Sequence, residues 1–575
     1  MSEISKGLAN GLTNYGDPEF AKYLRRSFAK SMGYTNESLD KPIVGICCTE
    51  SSFNNCHRHF PEMLEAVKRG VFSTGALPMP FPMISLGEVF LSPTSMVYRN
   101  LMAMAVEEMI RAQPMDAVVL MGGCDKTVPA LLMGAVSAGK PAMMLVAGPM
   151  MTGRYKGERL GACTDCRRFW AQYRAGTVSQ QEIDQIEGNL AVTSGTCAVM
   201  GTASSMAVIA ETLGVMLSNT ASIPAVHADR LRASEQTGAL AAEMAIQGGP
   251  KLDQLITKEA VENALRVLLS VSGSTNAIIH LTAIAGRAGV EVDLERFNEL
   301  SDETPVLVDL KPVGTGYMED FHAAGGLDGV LRALAPQLNL QTLDVTGQRL
   351  EQRLQETSSE QIDQSVIRTL QDPVDSQGGL IALRGTLAPG GAILKRAAAT
   401  PALLEHEGRA VVFSSLEDLA ARIDSFDLDV EAEDILVLQN AGPRSPSGMP
   451  EAGYLPIPKK LAKAGVKDMV RISDARMSGT AFGTIVLHVT PEADLGGPLA
   501  LVQNGDHIRL SASAKTIDLL VTPEEFEHRR SALIPSSTPP ARGYRKLYHD
   551  TILPAHQGCD LISWCQINVA SRCNY

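Results

Sequence analysis

Aromatic residues are scarce in this chain: Phe, Trp and Tyr make up 5% of 575 residues, and only two are Trp. A core with few large rings must pack small side chains closely, and 50 Gly and 24 Met are present for that. An excess of positive charge is also lacking. The 51 Lys and Arg stand against 64 Asp and Glu, a net charge of −13 with a pI near 5.4. That sign argues against tracking a nucleic-acid backbone. An anionic small substrate would need a local cation such as a metal. Long apolar runs are missing too. The longest clean one, residues 141–151 (PAMMLVAGPMM), is too short to span a bilayer. The small-residue stretch 190–217 is longer, but Ser, Thr and Glu211 interrupt it, so it reads as a buried helix rather than a membrane span. Ten cysteines fall far below the density of a disulfide scaffold. The first twenty residues show no basic-then-apolar signal pattern. A cytoplasmic protein with reduced thiols is expected, partnered by neither nucleic acid nor membrane. There, cysteines in glycine-rich loops point to metal binding or catalysis more than to bridges.

What is present has an order. Residues 41–48 (KPIVGICC) form a short β-prone run, followed by a polar loop and then by helical apolar spacing over 60–71. Residues 116–121 (DAVVLM) are a second buried strand ending in Gly122-Gly123, with a helical run from about Val128. Residues 141–147 are a third apolar run. This rhythm predicts an α/β fold over the first two-thirds, with a parallel sheet covered on both faces. Its polar loops lie just after strands, where such sheets place ligands. The character changes after about residue 370. Residues 377–391 are rich in Gly and turn residues, and short β-like runs follow at 410–413, 434–438, 484–489, 507–510 and 516–521. Asn504-Gly505 reads as a hairpin turn between two of them. The expected division is an α/β domain over 1–375 and a β-rich, barrel-like domain over 380–575.

Three cysteines stand out by context. Cys56 lies in FNNCH at the mouth of a helix, Cys124 in the turn GGCDK, and Cys197 in SGTC before a small-residue helix. Helix N-termini stabilise thiolates and anionic clusters. An ordinary buried cysteine is the plainer reading of any one of them, and no C-x-x-C ladder links them. Cys163 and Cys166 do form a C-x-x-C, which suggests a redox pair or half a zinc site, but no second pair is near. Asp125-Lys126 reads as part of a divalent-ion site or as a surface ion pair. Glu88 and Glu451, in loops otherwise poor in charge, are further oxygen ligands for such an ion. Ser478, in ISDARMSGT, is a nucleophile or base, or else a favoured turn residue.

Together these pieces are familiar. FNNCH at 53–57, GGCDKTVPA at 122–130, SGTCAVMGTASSM at 194–206, SGMPEAG at 447–453 and ISDARMSGT at 472–480 resemble, in order and spacing, the dihydroxy-acid and sugar-acid dehydratase family. Branched-chain members usually show Ser-Asp-Gly where this chain has Ser85-Leu86-Gly87. Glu88 here resembles the magnesium ligand of pentonate dehydratases, and LGACTDCRRFWAQYRAG at 160–176 also looks like the sugar-acid branch.

The resemblance implies an iron–sulfur cluster held by Cys56, Cys124 and Cys197, with 2Fe–2S favoured over 4Fe–4S. It implies Mg2+ near Glu88, Asp125, Lys126 and Glu451, with Lys126 carboxylated. Ser478 matches the family's base, and Thr480 sits where a substrate contact is expected. Cys163 and Cys166 match no cluster ligand and are expected to be structural. The implied activity is a hydro-lyase that turns an aldonate, a pentonate by preference, into its 2-keto-3-deoxy acid, in a homodimer or homotetramer. A branched-chain dihydroxy-acid dehydratase or phosphogluconate dehydratase is the alternative within the same chemistry. A thiol redox protein using Cys163/Cys166 and a non-catalytic binding module are the alternatives outside it.

Overall fold

The computed structural model describes residues 6–356, 362–533 and 538–565. Two sheets organise them. The first has four parallel strands, β1 (Ile43–Cys48), β2 (Leu77–Pro82), β3 (Ala117–Gly122) and β4 (Ala142–Val146), in the order β2-β1-β3-β4. Every residue of β1, β3 and β4 is buried, so these strands read as unbroken apolar runs. Helices Phe60–Thr74 and Ala228–Gln247 pack as one pair, and Ser95–Ala112 and Thr127–Ala138 as another. Glycine lets the first pair approach closely. A Cβ on Gly70 would lie 1.9 Å from the Glu235 carbonyl oxygen, and one on Gly238 would lie 2.1 Å from that of Val67.

The expected α/β sheet is present, but the alternation of strand and helix stops at β4. A small antiparallel pair, β5 (Gly153–Tyr155) and β6 (Glu158–Leu160), follows, and between Thr202 and Glu356 the chain is helices and loops without a named strand. The reason lies in the small-residue stretch. Helix Thr202–Thr212 is buried on all sides, and Lys258–Ser270 and Thr275–Arg287 pack around it as a helical core. Strand β2 escapes the sequence reading because it contains Pro78, Pro80 and Pro82. Alternate residues point their N–H groups to the same side of a strand. The prolines therefore place all their missing donors on the outer edge, while the Leu77 and Met83 N–H groups donate to Pro42 and Cys48 on the β1 side.

The second sheet has eight strands: β7 (Ile381–Leu383), β8 (Gly391–Leu394), β9 (Glu405–Phe413), β10 (Ile435–Leu438), β11 (Arg471–Ser473), β12 (Ile485–Thr490), β13 (His507–Ser511) and β14 (Thr516–Leu519). Their order is β14-β13-β9-β10-β11-β12-β8-β7. The ends nearly meet: Arg384, just past β7, accepts from Ile517 N at 2.9 Å and donates to Lys515 O at 3.0 Å. This is the expected barrel-like sheet, with Val437, Ile472, Val486 and Ile508 in its core. Strands β9 to β12 run parallel, and the flanking strands run antiparallel. The expected hairpin at Asn504-Gly505 is not one. β13 pairs with β9 and β14, not β12. Asn504 instead accepts from Val412 N at 2.7 Å, so its turn docks the chain on β9.

After β14 the chain returns to the first sheet's helices. Tyr544 donates to Val97 O at 2.6 Å, and Arg99 donates to Gly558 O and Cys559 O at 2.8 and 2.6 Å. Arg287 and Asp560 form a bidentate pair at 2.8 and 2.9 Å, and both are buried. Cys573 lies outside the described residues. Asp560→Ala leaves Arg287 without its bidentate partner in the interior, a loss of about 3–5 kcal/mol. The first thermal transition should fall in temperature, as read by calorimetry; an unchanged scan would show that the pair contributes nothing.

Candidate active site

The strand order fixes which loops meet. At the C-terminal edge of the first sheet, β2 leads to Glu88, β1 to Cys56, and β3 directly to Cys124, Asp125 and Lys126. β4 leads to Gly148 and Pro149, which hold the Cys197 loop through Thr196 N to Gly148 O at 2.9 Å and Met150 N to Thr196 O at 2.8 Å. Adjacent parallel strands thus bring together residues up to 141 positions apart, from Cys56 to Cys197.

His57 ties two of these loops. Its Nδ1 meets Thr49 O at 2.7 Å, and its Nε2 accepts from Cys124 N at 3.0 Å. Its ring stacks on Phe60 with centroids 4.3 Å apart. Burial lowers its pKa to about 4, so it stays neutral and keeps this donor–acceptor arrangement. A hydrogen bond with the Cys56 thiol, and then burial, raises the pKa of the Cys124 thiol, while a hydrogen bond with Cys163, burial and the neighbouring Cys56 and Cys124 thiols raise that of Cys197. The Cys163 and Cys197 sulfurs are 3.7 Å apart. The three cysteines singled out in the sequence therefore do gather, and a fourth joins them.

Beside the thiols lies an acidic group. One carboxylate oxygen from each of Glu88, Asp125 and Glu451 falls within 4.8 Å of the others. Lys126 is fully buried, with Nζ 2.7 Å from Asp125 and 3.9 Å from Glu88. Arg476 is buried as well and donates to Glu451 at 2.7 Å, to Glu88 at 2.6 Å and to Thr94 Oγ1 at 2.7 Å. Ser95 also donates to Glu88. Arg167 reaches to 3.9 Å from Glu451 and lies over the Tyr454 ring.

Glu451, Arg476 and Ser478 come from the barrel, on the loops that follow β10 and β11. Asp474 fastens those loops: it accepts from Ala441 N at 3.0 Å and from Ala493 N at 2.9 Å. The turn before Glu451 needs Gly448, whose φ is +64° and whose Cβ would lie 2.1 Å from Val97 of the first domain. Ser478 Oγ and Thr480 Oγ1 are 2.8 Å apart. Their loop is pinned from across the cleft, by Asn276 Nδ2 to Met477 O at 2.9 Å and Thr164 Oγ1 to Thr480 O at 2.9 Å.

The electrostatics separate the two glutamates. Burial disfavours the Glu88 carboxylate, but Arg476 and Lys126 outweigh it and hold its pKa near 2. Glu451 is raised to about 7 by burial, opposed by Arg476 and reinforced by Glu88 and Asp125. Crowded, ionisable oxygens of this kind suit a hard divalent cation, and clustered thiols suit iron. Arg476, His57 and Arg167 have no assigned role in the sequence reading, and Cys163 is expected there to be structural. Arg476 and His57 stand inside recognised motifs, and Arg167 and Cys163 in the CTDCRR segment.

Residues 41–353 match the family described as dihydroxy-acid/6-phosphogluconate dehydratase N-terminal, and residues 365–559 match its C-terminal counterpart. An L-arabonate dehydratase of Azospirillum brasilense is 45% identical, over 95% of each chain. A 6-deoxy-6-sulfo-D-gluconate dehydratase of Pseudomonas putida is 42% identical, over 91% of this chain and 90% of its own. A dihydroxy-acid dehydratase of Clostridium novyi is 36% identical, over 94% of this chain and 98% of its own.

As a cation ligand, Glu451 would act in its ionised form. With a pKa of about 7, that form dominates at pH 8 and is the minor one at pH 6. Mn2+ affinity of the metal-free protein, followed by calorimetric titration, should therefore be about tenfold weaker at pH 6 than at pH 8. In Glu451→Gln that difference should vanish along with most of the affinity.

Proposed function

The chain belongs to the dihydroxy-acid/6-phosphogluconate dehydratase family and is a hydro-lyase, and from that premise we propose that it converts a pentonate to the 2-keto-3-deoxy acid. The observation that carries this reading is the meeting of Glu88, Asp125 and Glu451 beside a cluster of cysteine thiols. The pentonate preference is supported by the 45% identity to an L-arabonate dehydratase, against 36% to a dihydroxy-acid dehydratase. It is supported too by Leu86 in place of aspartate, and by Arg167 of the CTDCRR segment reaching toward Glu451.

The family uses an iron–sulfur cluster and Mg2+, and the donors fit both. Cys56, Cys124 and Cys197 would hold a 2Fe–2S cluster, and Glu88, Asp125 and Glu451 would hold Mg2+. We include carboxylation of Lys126 in the reading. This buried amine stands among the acidic ligands, and a carboxyl group on Nζ would make it one of them. When bound, the two groups supply Lewis acidity for the departing C3 hydroxyl and positive charge for the substrate carboxylate and C2 hydroxyl.

The protein's own groups do the rest. Ser478 Oγ takes the proton from C2, and Thr480 Oγ1, 2.8 Å away, orients it. An ordinary serine is far too weak a base at neutral pH, so Ser478 must act ionised in the field of nearby cations. The C2–H electron pair becomes the C2–C3 double bond as the C3–O bond breaks; the departing hydroxide takes the proton from Ser478 and leaves as water, which returns the serine to its ionised form. The enol then tautomerises to the 2-keto acid. Arg476 holds Glu88 and Glu451 in place between the two domains, and the buried loops around them keep bulk water from the reacting carbons.

The reading extends to a cytoplasmic homodimer or homotetramer. Cluster thiolates must stay reduced, and Phe53, Val89 and Phe90 expose apolar surface close in sequence to Cys56 and Glu88. Ser478→Ala should keep iron, sulfide and metal binding while kcat falls at least about a thousandfold, with KM little changed. Wild-type turnover would remove Ser478 as base. Cys124→Ser should lose the visible chromophore and the activity together. On a panel of pentonates, hexonates, 6-phosphogluconate and dihydroxyisovalerate, kcat/KM should be highest for a pentonate; a maximum on dihydroxyisovalerate would overturn the substrate assignment.

A further inference from the structure

Two arginines stand side by side in the CTDCRR segment, and the fold engages only one of them. Arg168 donates to Asp165 at 3.1 Å and to Glu158 at 2.6 Å. Among the described residues the Arg167 guanidinium makes no hydrogen bond, and its Nε is buried without a partner. The Glu451 carboxylate is 3.9 Å from it, beyond hydrogen-bond reach. Lys126 and Arg476, the other cations around the acidic group, already donate to Asp125, Glu88 and Glu451.

Both domains fix the position of Arg167. Its helix, Thr164–Ala175, is anchored at the start by Asp165, which accepts from Gly161 N at 2.8 Å and from Lys311 Nζ and Tyr317 Oη at 3.0 Å each. Thr164 ties the same turn to the Ser478 loop through Thr480 O at 2.9 Å. From the barrel, the Tyr454 ring supports the guanidinium, with its centroid 5.0 Å from Arg167 Cζ. Arg471 lies 5.1 Å from the same ring and donates to the Tyr454 carbonyl at 2.8 Å, so this platform is itself held. Arg167 and Glu451 keep 23% and 21% of their side chains exposed, which places both on the wall of the cleft and not in the core.

We propose that Arg167 receives the C1 carboxylate of the substrate as a paired hydrogen bond, beside the cation assigned to Glu88, Asp125 and Glu451. This rests on the sugar-acid dehydratase reading above. The 3.9 Å gap to Glu451 leaves the guanidinium uncommitted until that anion arrives. A hydroxyl beyond C3 would leave its charge unmatched, whereas a carboxylate matches both the charge and the two-pronged planar geometry. Arg167 thereby fixes which end of the substrate lies against the acidic group, and so which C–H faces Ser478.

Calorimetric titration of the cofactor-loaded Ser478→Ala protein reads binding without turnover, with L-arabonate and its neutral amide as probes. Adding Arg167→Met should raise the dissociation constant for L-arabonate at least about thirtyfold, and that for the amide by less than about threefold. Arg167→Lys, which keeps the charge but not the fork, should lie between. Equal losses for acid and amide would overturn the proposal. 2,3-Dihydroxybutanoate, which has the carboxylate but no hydroxyl beyond C3, should lose as much as L-arabonate; a loss confined to L-arabonate would also overturn it and assign Arg167 to the tail hydroxyls. Mn2+ affinity should stay within about threefold of that of Ser478→Ala alone. A change of about tenfold there, with L-arabonate binding unaltered, would make Arg167 a partner of Glu451 only and defeat the proposal. Ser478→Ala protein that binds neither L-arabonate nor any other pentonate would sink the substrate reading itself, and this proposal with it.

Discussion

A buried guanidinium between two carboxylates joins the halves of this protein. Arg476 comes from the barrel, Glu88 from the first sheet and Glu451 from the barrel again, and none of the three ionised groups would be stable there alone. Arg476 keeps Glu451 within the barrel, but its second carboxylate and Thr94 come from the first domain, so docking stabilises the barrel loop in this position. The acidic group that could receive a metal exists only in the docked arrangement. Docking and assembly of the site are thus one event, and the loops on either side need no separate device to find each other.

The sheet topology does comparable work for the thiols. In the order β2-β1-β3-β4, neighbouring strands end side by side, and each delivers one loop to the same edge. His57 then sets the spacing between two of those loops through hydrogen bonds to Thr49 and Cys124. A neutral, buried ring is suited to this because it can accept from one loop while facing a carbonyl on the other. Replacing it by a residue with a single polar function would free one loop while holding the other.

How much of this could be read from the sequence depended on whether the signal was local. Strands β1, β3 and β4 are unbroken apolar runs and declared themselves, as did Cys56, Cys124 and Cys197 in their short motifs. Strand β2 did not, because Pro78, Pro80 and Pro82 lack the donors a strand ordinarily uses, and only its neighbour β1 shows that the unpaired edge is the outer one. The hairpin at Asn504-Gly505 was misplaced because a turn dipeptide signals a reversal and not its partner strand. The convergence of Glu88, Asp125 and Glu451 needed the motif resemblance, since 363 positions separate the first from the last. Cys163 shows the opposite limit. Its C-x-x-C spacing pointed to Cys166, whereas the sulfur that lies beside it belongs to Cys197, 34 residues away.

The return of the chain after β14 has a consequence for biosynthesis. Arg99 and Arg287 are wholly buried in helices made early, but they are satisfied by carbonyl and carboxylate groups at positions 558 to 560. While the ribosome is still making the barrel, both guanidiniums lack these partners. Arg99 keeps Asn100 and His280, and Arg287 keeps Glu107 and Ser137, but the interior there is fully satisfied only when residues 558 to 560 arrive. A segment that follows the barrel in the chain thus completes a core begun before it.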